Sequence, residues 1–296
     1  MTTADSPADE IPLAGSTMVI TGASQGIGYA AALEVASLGA GLVMVGRSPE
    51  NYRAVQSELD GRGARHALVE ADLRSLASVA KTGRAIAADA AGRGDDRLIL
   101  INNAATAGRR GVTDDGFELA FGVNYLSHFL LTSLLLESGL PLARVVNVSS
   151  NAHFSTSVLN PDLVVGKTRS LAGWREYSHS KAALAAMTVE LAQRYPATMS
   201  LCVHPGVVAT GLWRRIPRPF RALVTRRMLP SEIGALPVVR AASDDSLSSG
   251  AYLTPEGVRR PGAAVLDAAG RATLWDSSLR WVRPFMSPPA EKPPDQ

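Results

Sequence analysis

The sequence predicts a doubly wound α/β sandwich, in which helices cover both faces of a mostly parallel, seven-stranded sheet. Three observations support this fold class. Short apolar runs alternate with longer helical patterns along the chain. The runs are apolar throughout, which is typical of strands that are buried on both faces. A glycine-rich turn joins the first run to the first helical pattern, at the place where such folds bind phosphate groups.

Six of the apolar runs are candidate strands, and they lie at residues 18–20, 42–45, 67–69, 98–101, 145–148 and 199–203. Helical patterns cover residues 26–38, 115–137 and 176–194, and Gly39 follows the first of them at a typical C-cap position. Short, right-handed connections between these elements give a Rossmann-type, three-layer sandwich. We expect one domain over residues 15–283, with flexible tails at residues 1–14 and at the proline-rich residues 284–296.

Composition excludes several classes of protein. The chain has 296 residues, of which 46% are hydrophobic and 19% charged, as in ordinary soluble domains. Its one cysteine, Cys202, excludes an intrachain disulfide and a cysteine-based zinc cluster. The histidines show no HExxH spacing, so we expect no metal site. The sequence lacks a signal-peptide pattern and any apolar run of the ~18 residues that span a bilayer. We therefore expect a cytoplasmic protein with no transmembrane segment.

The charge is small but unevenly distributed. A net charge of +3 does not indicate a nucleic-acid partner. Between Glu190 and Glu232 the chain has seven arginines and no acidic residue, which leaves 23 basic against 27 acidic residues elsewhere. These arginines fit a solvated surface helix, attraction of an anionic ligand, or contact with an acidic partner or a membrane surface.

The glycine-rich turn is the first candidate binding site. Gly22, Gly26 and Gly28 follow the first predicted strand, and glycines let a backbone turn tightly and approach a pyrophosphate closely. The helix that begins here directs free N–H groups and its positive dipole end toward the same place. The G-x-x-x-G-x-G spacing differs from the G-x-G-x-x-G fingerprint. The turn is therefore weak evidence by itself, and its position in the alternating pattern strengthens it.

Tyr177 and Lys181 are the strongest candidates for acid–base chemistry. They are four residues apart in a predicted helix and so share one face. A phenol titrates near ~10 and an ammonium near ~10.4, but a neighbouring positive charge lowers the pKa of a tyrosine. Such a pair can exchange a proton with an alcohol or a carbonyl oxygen. Without other motifs, the interpretation as a routine exposed helix pair would be favoured.

Taken together, these motifs resemble those of the short-chain dehydrogenase/reductase family, in family order over residues 15 to 282. The resemblance implies a catalytic tetrad of Asn124, Ser150, Tyr177 and Lys181, with Ser149 as second choice for the serine. Ser150 would hydrogen-bond the substrate oxygen, and Asn124 would hold a water in a proton relay. His128, His153, His179 and His204 are expected to be structural or to line the substrate site rather than to act as bases.

The same resemblance implies a set of cofactor-binding residues. They are Gly22, Ser24, Gln25, Gly26, Ile27 and Gly28 in the turn; Arg47 and Ser48; Asp72 and Leu73; Asn103, Ala104 and Ala105; Tyr177 and Lys181; and Pro205, Gly206, Val208 and Thr210. Asp72 would address the adenine ring and Lys181 the nicotinamide ribose. Ala105 departs from the glycine that is usual in the family.

The end of the second strand indicates which nicotinamide cofactor binds. An NAD enzyme needs a carboxylate here to hold the ribose 2′-hydroxyl, and Gly46 occupies that position. Arg47 follows and can pair with a 2′-phosphate, while Ser48 adds a hydroxyl. The sequence therefore predicts NADP(H), with a surface arginine near a turn as the alternative.

Several stretches resemble the retinol dehydrogenase and WW-domain-oxidoreductase branch, among them residues 123–132, 146–150, 177–181 and 250–252. The branch implies an oxidoreductase acting on a lipophilic ketone, aldehyde or alcohol, and a biosynthetic ketoreductase fits equally. The alternatives are a non-catalytic dinucleotide-binding sensor or scaffold and a member with atypical chemistry, such as an epimerase or dehydratase. The family also implies a substrate lid at residues 212–228. The 26 residues between Ser150 and Tyr177 favour a monomer or homodimer over a tetramer.

Overall fold

Eight strands form one central sheet in the computed structural model, which describes residues 13–94, 96–161, 164–208 and 228–287. The strands are β1 (Ser16–Thr21), β2 (Gly41–Gly46), β3 (His66–Glu70), β4 (Arg97–Asn102), β5 (Leu142–Val148), β6 (Met199–Val203), β7 (Tyr252–Thr254) and β8 (Gly257–Arg259). Their order across the sheet is β3-β2-β1-β4-β5-β6-β7-β8. The doubly wound fold class is confirmed, because the order reverses direction after β1.

The predicted number of seven strands is too low by one. The first seven strands are parallel, and β8 pairs antiparallel with β7. A tight turn through Pro255 and Glu256 connects β7 to β8, so the added strand is the second half of a hairpin. Val258 and Arg259 are exposed at the edge of the sheet. A strand of three residues with exposed side chains gives no apolar run to read in a sequence.

Helices cover both faces of the sheet. They are α1 (Gly26–Ser37), α2 (Arg53–Gly61), α3 (Leu76–Arg93), α4 (Leu119–Glu137), α5 (Trp174–Arg194), α6 (Ser231–Ser243), α7 (Ala263–Leu266) and α8 (Ala268–Met286). One apolar core contains α1, α2 and α6, and the other contains α3, α4, α5 and α8. In β1, Met18 and Ile20 join the first core while Val19 joins the second. Successive strand residues point to opposite faces, so each strand contributes to both layers.

Helix α4 begins four residues later than the predicted 115–137. The Glu118 carboxylate accepts a hydrogen bond of 2.9 Å from the backbone N–H of Phe121, and this cap fixes the first turn. By length and composition alone the helix could cross a membrane, with 19 residues and a mean hydropathy of 1.5, although the sequence predicts no transmembrane segment. Of its most apolar window, 83% is buried inside the protein. Packing against the sheet and neighbouring helices therefore accounts for its composition.

Both predicted tails are shorter than expected where the structure describes them. Leu13 is fully buried, and its backbone N–H donates to the Leu38 carbonyl at 3.0 Å. Helix α8 continues through Pro284 to Met286, because Phe285 and Met286 pack against the core and Arg84 binds the Phe285 carbonyl at 3.1 Å. The predicted lid at 212–228, except for its last residue, lies outside the described residues, and so does Thr210.

Candidate active site

Thr21, the last residue of β1, organises the meeting point of the glycine turn and the loop after β4. Its hydroxyl oxygen accepts hydrogen bonds of 3.0 Å from the backbone N–H groups of both Asn103 and Ala104. The Asn103 side chain donates to the carbonyl oxygens of Thr21 and Gly22, at 2.9 Å and 3.2 Å. The turn is thus tied to the loop that follows the neighbouring strand β4.

The conformation of the turn requires its glycines. Gly22 and Gly26 have φ angles of +72° and +60°, which side chains disfavour. A Cβ atom on Gly28 would lie 2.4 Å from both the Gly22 carbonyl oxygen and the Asn103 amide nitrogen. Gln25 leaves the N-terminus of α1 without a side-chain cap. Free N–H groups at a helix start beside a close-packed glycine cradle fit a dinucleotide pyrophosphate, so the residues present suit a nicotinamide cofactor.

Tyr177 and Lys181 lie together on the buried side of α5. The Lys181 ammonium nitrogen is 5.9 Å from the centre of the Tyr177 ring and donates a 2.7 Å hydrogen bond to the Val148 carbonyl. Burial lowers the pKa of Lys181 to about 8. Burial also raises the pKa of Tyr177, and a hydrogen bond with Ser150 opposes that rise. Because its pKa is raised, Tyr177 is protonated near pH 7 and can donate its proton. The neighbouring Lys181 has a pKa not far above neutral.

The two serines that end β5 differ in their surroundings. The Ser150 side chain forms a hydrogen bond with Tyr177. Its hydroxyl oxygen also accepts a 3.2 Å hydrogen bond from the backbone N–H of Ala152. Ser149 is buried, and its hydroxyl donates to the Lys181 carbonyl oxygen at 2.7 Å. Ser150 is therefore the serine beside the tyrosine hydroxyl, and Ser149 ties β5 to α5.

Asn124 lies inside a π-helical turn, Gly122–Leu126, within α4. Its side chain accepts a 2.7 Å hydrogen bond from the N–H of Thr106 and donates to the Thr106 carbonyl and the Ser180 hydroxyl, at 3.0 Å and 2.9 Å. π-Helical turns are frequent at functional sites. Here the widened turn lets one buried amide connect the loop after β4 to the helix that carries Tyr177.

Four of the histidines are held by the fold. The rings of His128, His153, His179 and His204 each hydrogen-bond main-chain groups. Burial lowers the pKa of His128, His179 and His204 to about 4. These rings are neutral near pH 7, and their contacts are structural. His128 also joins the turn to α4, since its Nε2 atom is 2.9 Å from the Thr21 hydroxyl.

The predicted adenosine end lies at the carboxyl ends of β2 and β3. Arg47 is exposed and Ser48 half-buried. One carboxylate oxygen of Asp72 accepts from the N–H of Arg74 at 3.0 Å, and Leu73 packs partly against the core. Sequence reasoning missed Tyr52, which is buried and donates a 2.9 Å hydrogen bond to the Val45 carbonyl. No pattern in the sequence indicates it.

The predicted nicotinamide end lies after β6. Gly206 has a φ angle of +86°, and a Cβ atom there would meet the Leu229 side chain at 2.7 Å. Val208 pairs with Leu229 as an isolated bridge, while Pro205 is buried. Of the remaining predicted residues, Ala104 is half-buried beside the turn and Ala105 is exposed.

A cavity of about 370 Å³ lies beside α5, and His179 and Phe121 are among its lining residues. His179 follows Tyr177 by two residues and points about 200° around the helix from it. The cavity is therefore on the face of α5 opposite the Tyr177 hydroxyl. Within the described ranges, no three histidine, cysteine or acidic side chains are grouped to hold a metal ion.

The fold and this site define the class of the protein, an oxidoreductase that acts on CH–OH or C=O groups with a nicotinamide cofactor. The chain belongs to the short chain dehydrogenase family, whose sequence pattern matches residues 16–219.

Three relatives illustrate the similarity. A protein of Streptomyces sp. (strain C5), provisionally named daunorubicin C-13 ketoreductase DnrU, is 33% identical over 278 residues, or 91% of this chain and 93% of that protein. Retinol dehydrogenase 13 of Homo sapiens is 32% identical over 286 residues, or 90% and 85%. A solved structure from Beutenbergia cavernae, provisionally assigned as an NAD(P)-dependent gluconate 5-dehydrogenase with NADP at low occupancy, is 26% identical with a TM-score of 0.66, covering 88% of this chain and 100% of that one.

Proposed function

We propose that the protein transfers a hydride between NADPH and a lipophilic ketone or aldehyde, or between the corresponding alcohol and NADP⁺. The observation that carries the proposal is the cluster of Tyr177, Ser150 and Lys181 at the carboxyl end of the sheet. In doubly wound folds, ligands bind beyond this end of the strands. A proton donor, a second hydroxyl and a cation in one place are what carbonyl reduction needs.

Each residue of the cluster has a distinct task. The cofactor, when bound, supplies or accepts the hydride. Ser150 donates a hydrogen bond to the substrate oxygen, which stabilises the negative charge that develops there. Tyr177 gives its phenolic proton to that oxygen in reduction and takes it back in oxidation. Lys181 keeps two ammonium protons beyond the one bound to Val148, and these are available to the nicotinamide ribose.

The residues at the end of β2 support a preference for NADP(H) over NAD(H). Gly46 provides no carboxylate to hold a ribose 2′-hydroxyl or to repel a phosphate, and the Arg47 side chain is free to reach solvent. A guanidinium binds phosphate through charge-assisted, often bidentate hydrogen bonds. The NADP in the Beutenbergia cavernae structure supports this choice.

The names of two relatives support a lipophilic substrate. One is named for retinol and another as a daunorubicin C-13 ketoreductase, and both similarities extend over at least 85% of either chain. A role in a biosynthetic pathway fits the second name.

A screen of carbonyl compounds by loss of NADPH absorbance tests the proposal. We expect turnover with extended, lipophilic ketones or aldehydes in the wild type, and at least ~100-fold less in Tyr177→Phe, the low end for lost acid–base catalysis. NADPH binding without turnover across the panel would instead support a dinucleotide-binding sensor. Equal turnover in the variant would contradict the assigned site.

A further inference from the structure

The aromatic ring of Tyr52 fills the space where a side chain at position 46 would lie. A Cβ atom built on Gly46 would be 1.9 Å from the Tyr52 hydroxyl oxygen, 2.4 Å from Cζ and 2.5 Å from Cε2. No side chain fits at such distances unless the ring moves. Tyr52 is only 2% exposed, and its hydroxyl donates to the Val45 carbonyl at 2.9 Å, so the surrounding core holds the ring in place.

The same hydroxyl connects two parts of the proposed cofactor site. Val45 is next to the end of β2, which leads into Arg47 and Ser48. Burial raises the pKa of Tyr52, while hydrogen bonds from the Ser24 hydroxyl and the Ala23 N–H oppose the rise. Ser24 belongs to the glycine turn. The phenol is thus neutral near pH 7 and lies between the turn and the strand that carries the arginine.

We propose that Tyr52 is a specificity-determining residue for the cofactor, because it occupies the position from which a carboxylate at residue 46 would bind the ribose 2′-hydroxyl of NAD. This inference rests on the proposed function, in which NADPH is the cofactor. Tyr52 is a positioning residue rather than a catalytic one, since it is buried beneath the site. It acts by excluding a side chain at position 46 and by holding Ser24 beside the end of β2.

A consequence is that an acidic residue at position 46 is insufficient for NAD binding. In Gly46→Asp the new side chain competes with the Tyr52 ring for the same volume, and binding of both cofactors weakens. Removing the ring in Gly46→Asp/Tyr52→Leu makes room for the carboxylate to reach the ribose. The matched control is Gly46→Asp/Tyr52→Phe, which removes the hydroxyl but keeps Cζ and Cε2 within 2.5 Å of the added Cβ.

Calorimetric titration of NADPH and NADH, with cofactor-free thermal unfolding alongside, tests this without an activity assay. We expect Gly46→Asp/Tyr52→Leu to bind NADH at least ~10-fold more tightly than Gly46→Asp does, a difference of about 1.4 kcal/mol. The Phe control should stay as weak as Gly46→Asp. Tight NADH binding by Gly46→Asp alone, or no gain in the Leu variant, overturns the inference.

A fallback pair of variants and the wild type complete the test. If Gly46→Asp/Tyr52→Leu does not unfold cooperatively, Gly46→Ala with and without Tyr52→Leu replaces it. We then expect Gly46→Ala to weaken NADPH binding and Tyr52→Leu to restore part of it, and an Ala variant with unchanged affinity overturns the inference. Titration of the wild type distinguishes failure of the proposed cofactor preference from failure of the inference about Tyr52. If it binds NADH as tightly as NADPH, the proposed cofactor preference fails, whereas the comparison between the double variants still reports on Tyr52.

Discussion

The ammonium of Lys181 donates a 2.7 Å hydrogen bond to the carbonyl oxygen of Val148, the last residue of β5. The bond joins the helix that carries Tyr177 to the strand that leads directly into Ser150. A second link, from the Ser149 hydroxyl to the Lys181 carbonyl, runs between the same two elements. The proposed acid–base groups are therefore positioned by the protein itself, so the proposed mechanism requires little reorganisation when substrate binds.

The first prediction concerns the phenol. Tyr177→Phe should retain the position of the ring and lose its proton, so turnover should fall by at least ~100-fold while the Kd for NADPH changes little. Tyr195→Phe, at the end of the same helix, is the matched control and should leave both quantities unchanged. Steady-state kinetics and cofactor titration measure the two effects. Near-normal turnover in Tyr177→Phe would refute the role of the residue.

A second prediction concerns the 2′-phosphate. Arg47→Ala should raise the Kd for NADPH by about 10-fold, the lower range for a hydrogen bond to a charged group at an exposed site, and leave the Kd for NADH nearly unchanged. The control is Arg53→Ala, which removes an exposed arginine at the start of α2. Titration of both cofactors against both variants measures the difference. The prediction is wrong if the two cofactors lose affinity equally.

Strands β1 to β6 could be predicted from sequence because each contains a short apolar run next to a helical pattern. Strand β8 and the start of α4 could not. The first depends on exposed residues after a tight turn, and the second depends on a cap by Glu118 that the apolar pattern does not show. Local periodicity reports burial and is silent about hairpins and capping side chains.

The candidate site likewise has a part that the sequence predicts and a part that it does not. The glycine turn and the Tyr177–Lys181 spacing are visible in the sequence because they are local. The contacts that hold these residues in place are not visible in the sequence, because they join distant parts of the chain. Thr21 and Asn103 form a hydrogen bond although they are 82 residues apart, and Asn124 and Ser180 do so at a separation of 56 residues. Tyr52 is an intermediate case. It is only six residues from Gly46, yet nothing in a linear pattern indicates that one fills the space left by the other.

A third prediction concerns the assembly. The segment between Ser150 and Tyr177 packs on the start of α4, where Glu118 N–H donates to the Val164 carbonyl and Gly166 N–H to the Gly116 carbonyl, each at 2.8 Å. Because this segment is bonded to the residues just before α4, it takes up space there that a second copy would need. Light scattering should therefore give the mass of a monomer or dimer. A stable tetramer would contradict this expectation.

The fourth prediction is that Lys181 makes stability rise with alkaline pH. Its folded pKa is about 8, below the ~10.4 of an unfolded chain. Between these values the unfolded state binds the proton that the folded state has lost, so the free energy of unfolding gains up to about 1.4 kcal/mol per pH unit. Burial also raises the pKa of Cys202 to about 12, which opposes the gain above the ~8.5 of an unfolded cysteine. Urea unfolding at pH 7.5 and 9.5 should therefore show a more positive change in stability in the wild type and in Lys81→Met, where an exposed lysine is removed, than in Lys181→Met. An equal change in Lys181→Met would exclude Lys181 as the source.

The last prediction concerns acid. Because burial lowers the pKa of His128, His179 and His204 to about 4, each stays neutral in the folded protein at a pH where the unfolded chain, with a pKa of ~6.5, takes up a proton. The unfolded state then binds more protons, and stability falls as the pH falls from about 6.5 toward 4. Each histidine contributes a slope of up to about 1.4 kcal/mol per pH unit.

Urea unfolding between pH 7 and 5 measures that slope. His128→Asn should be less stable than the wild type at pH 7, because the ring contacts with Thr21 and Asn124 are lost, but its stability should depend less on pH by about one proton. His179→Asn should show the same reduction from a separate position, on the opposite side of α5 from Tyr177. A slope that is unchanged in both variants would mean that these two rings titrate alike in the folded and unfolded chain, and the acid sensitivity would then belong to His204 or to the carboxylates.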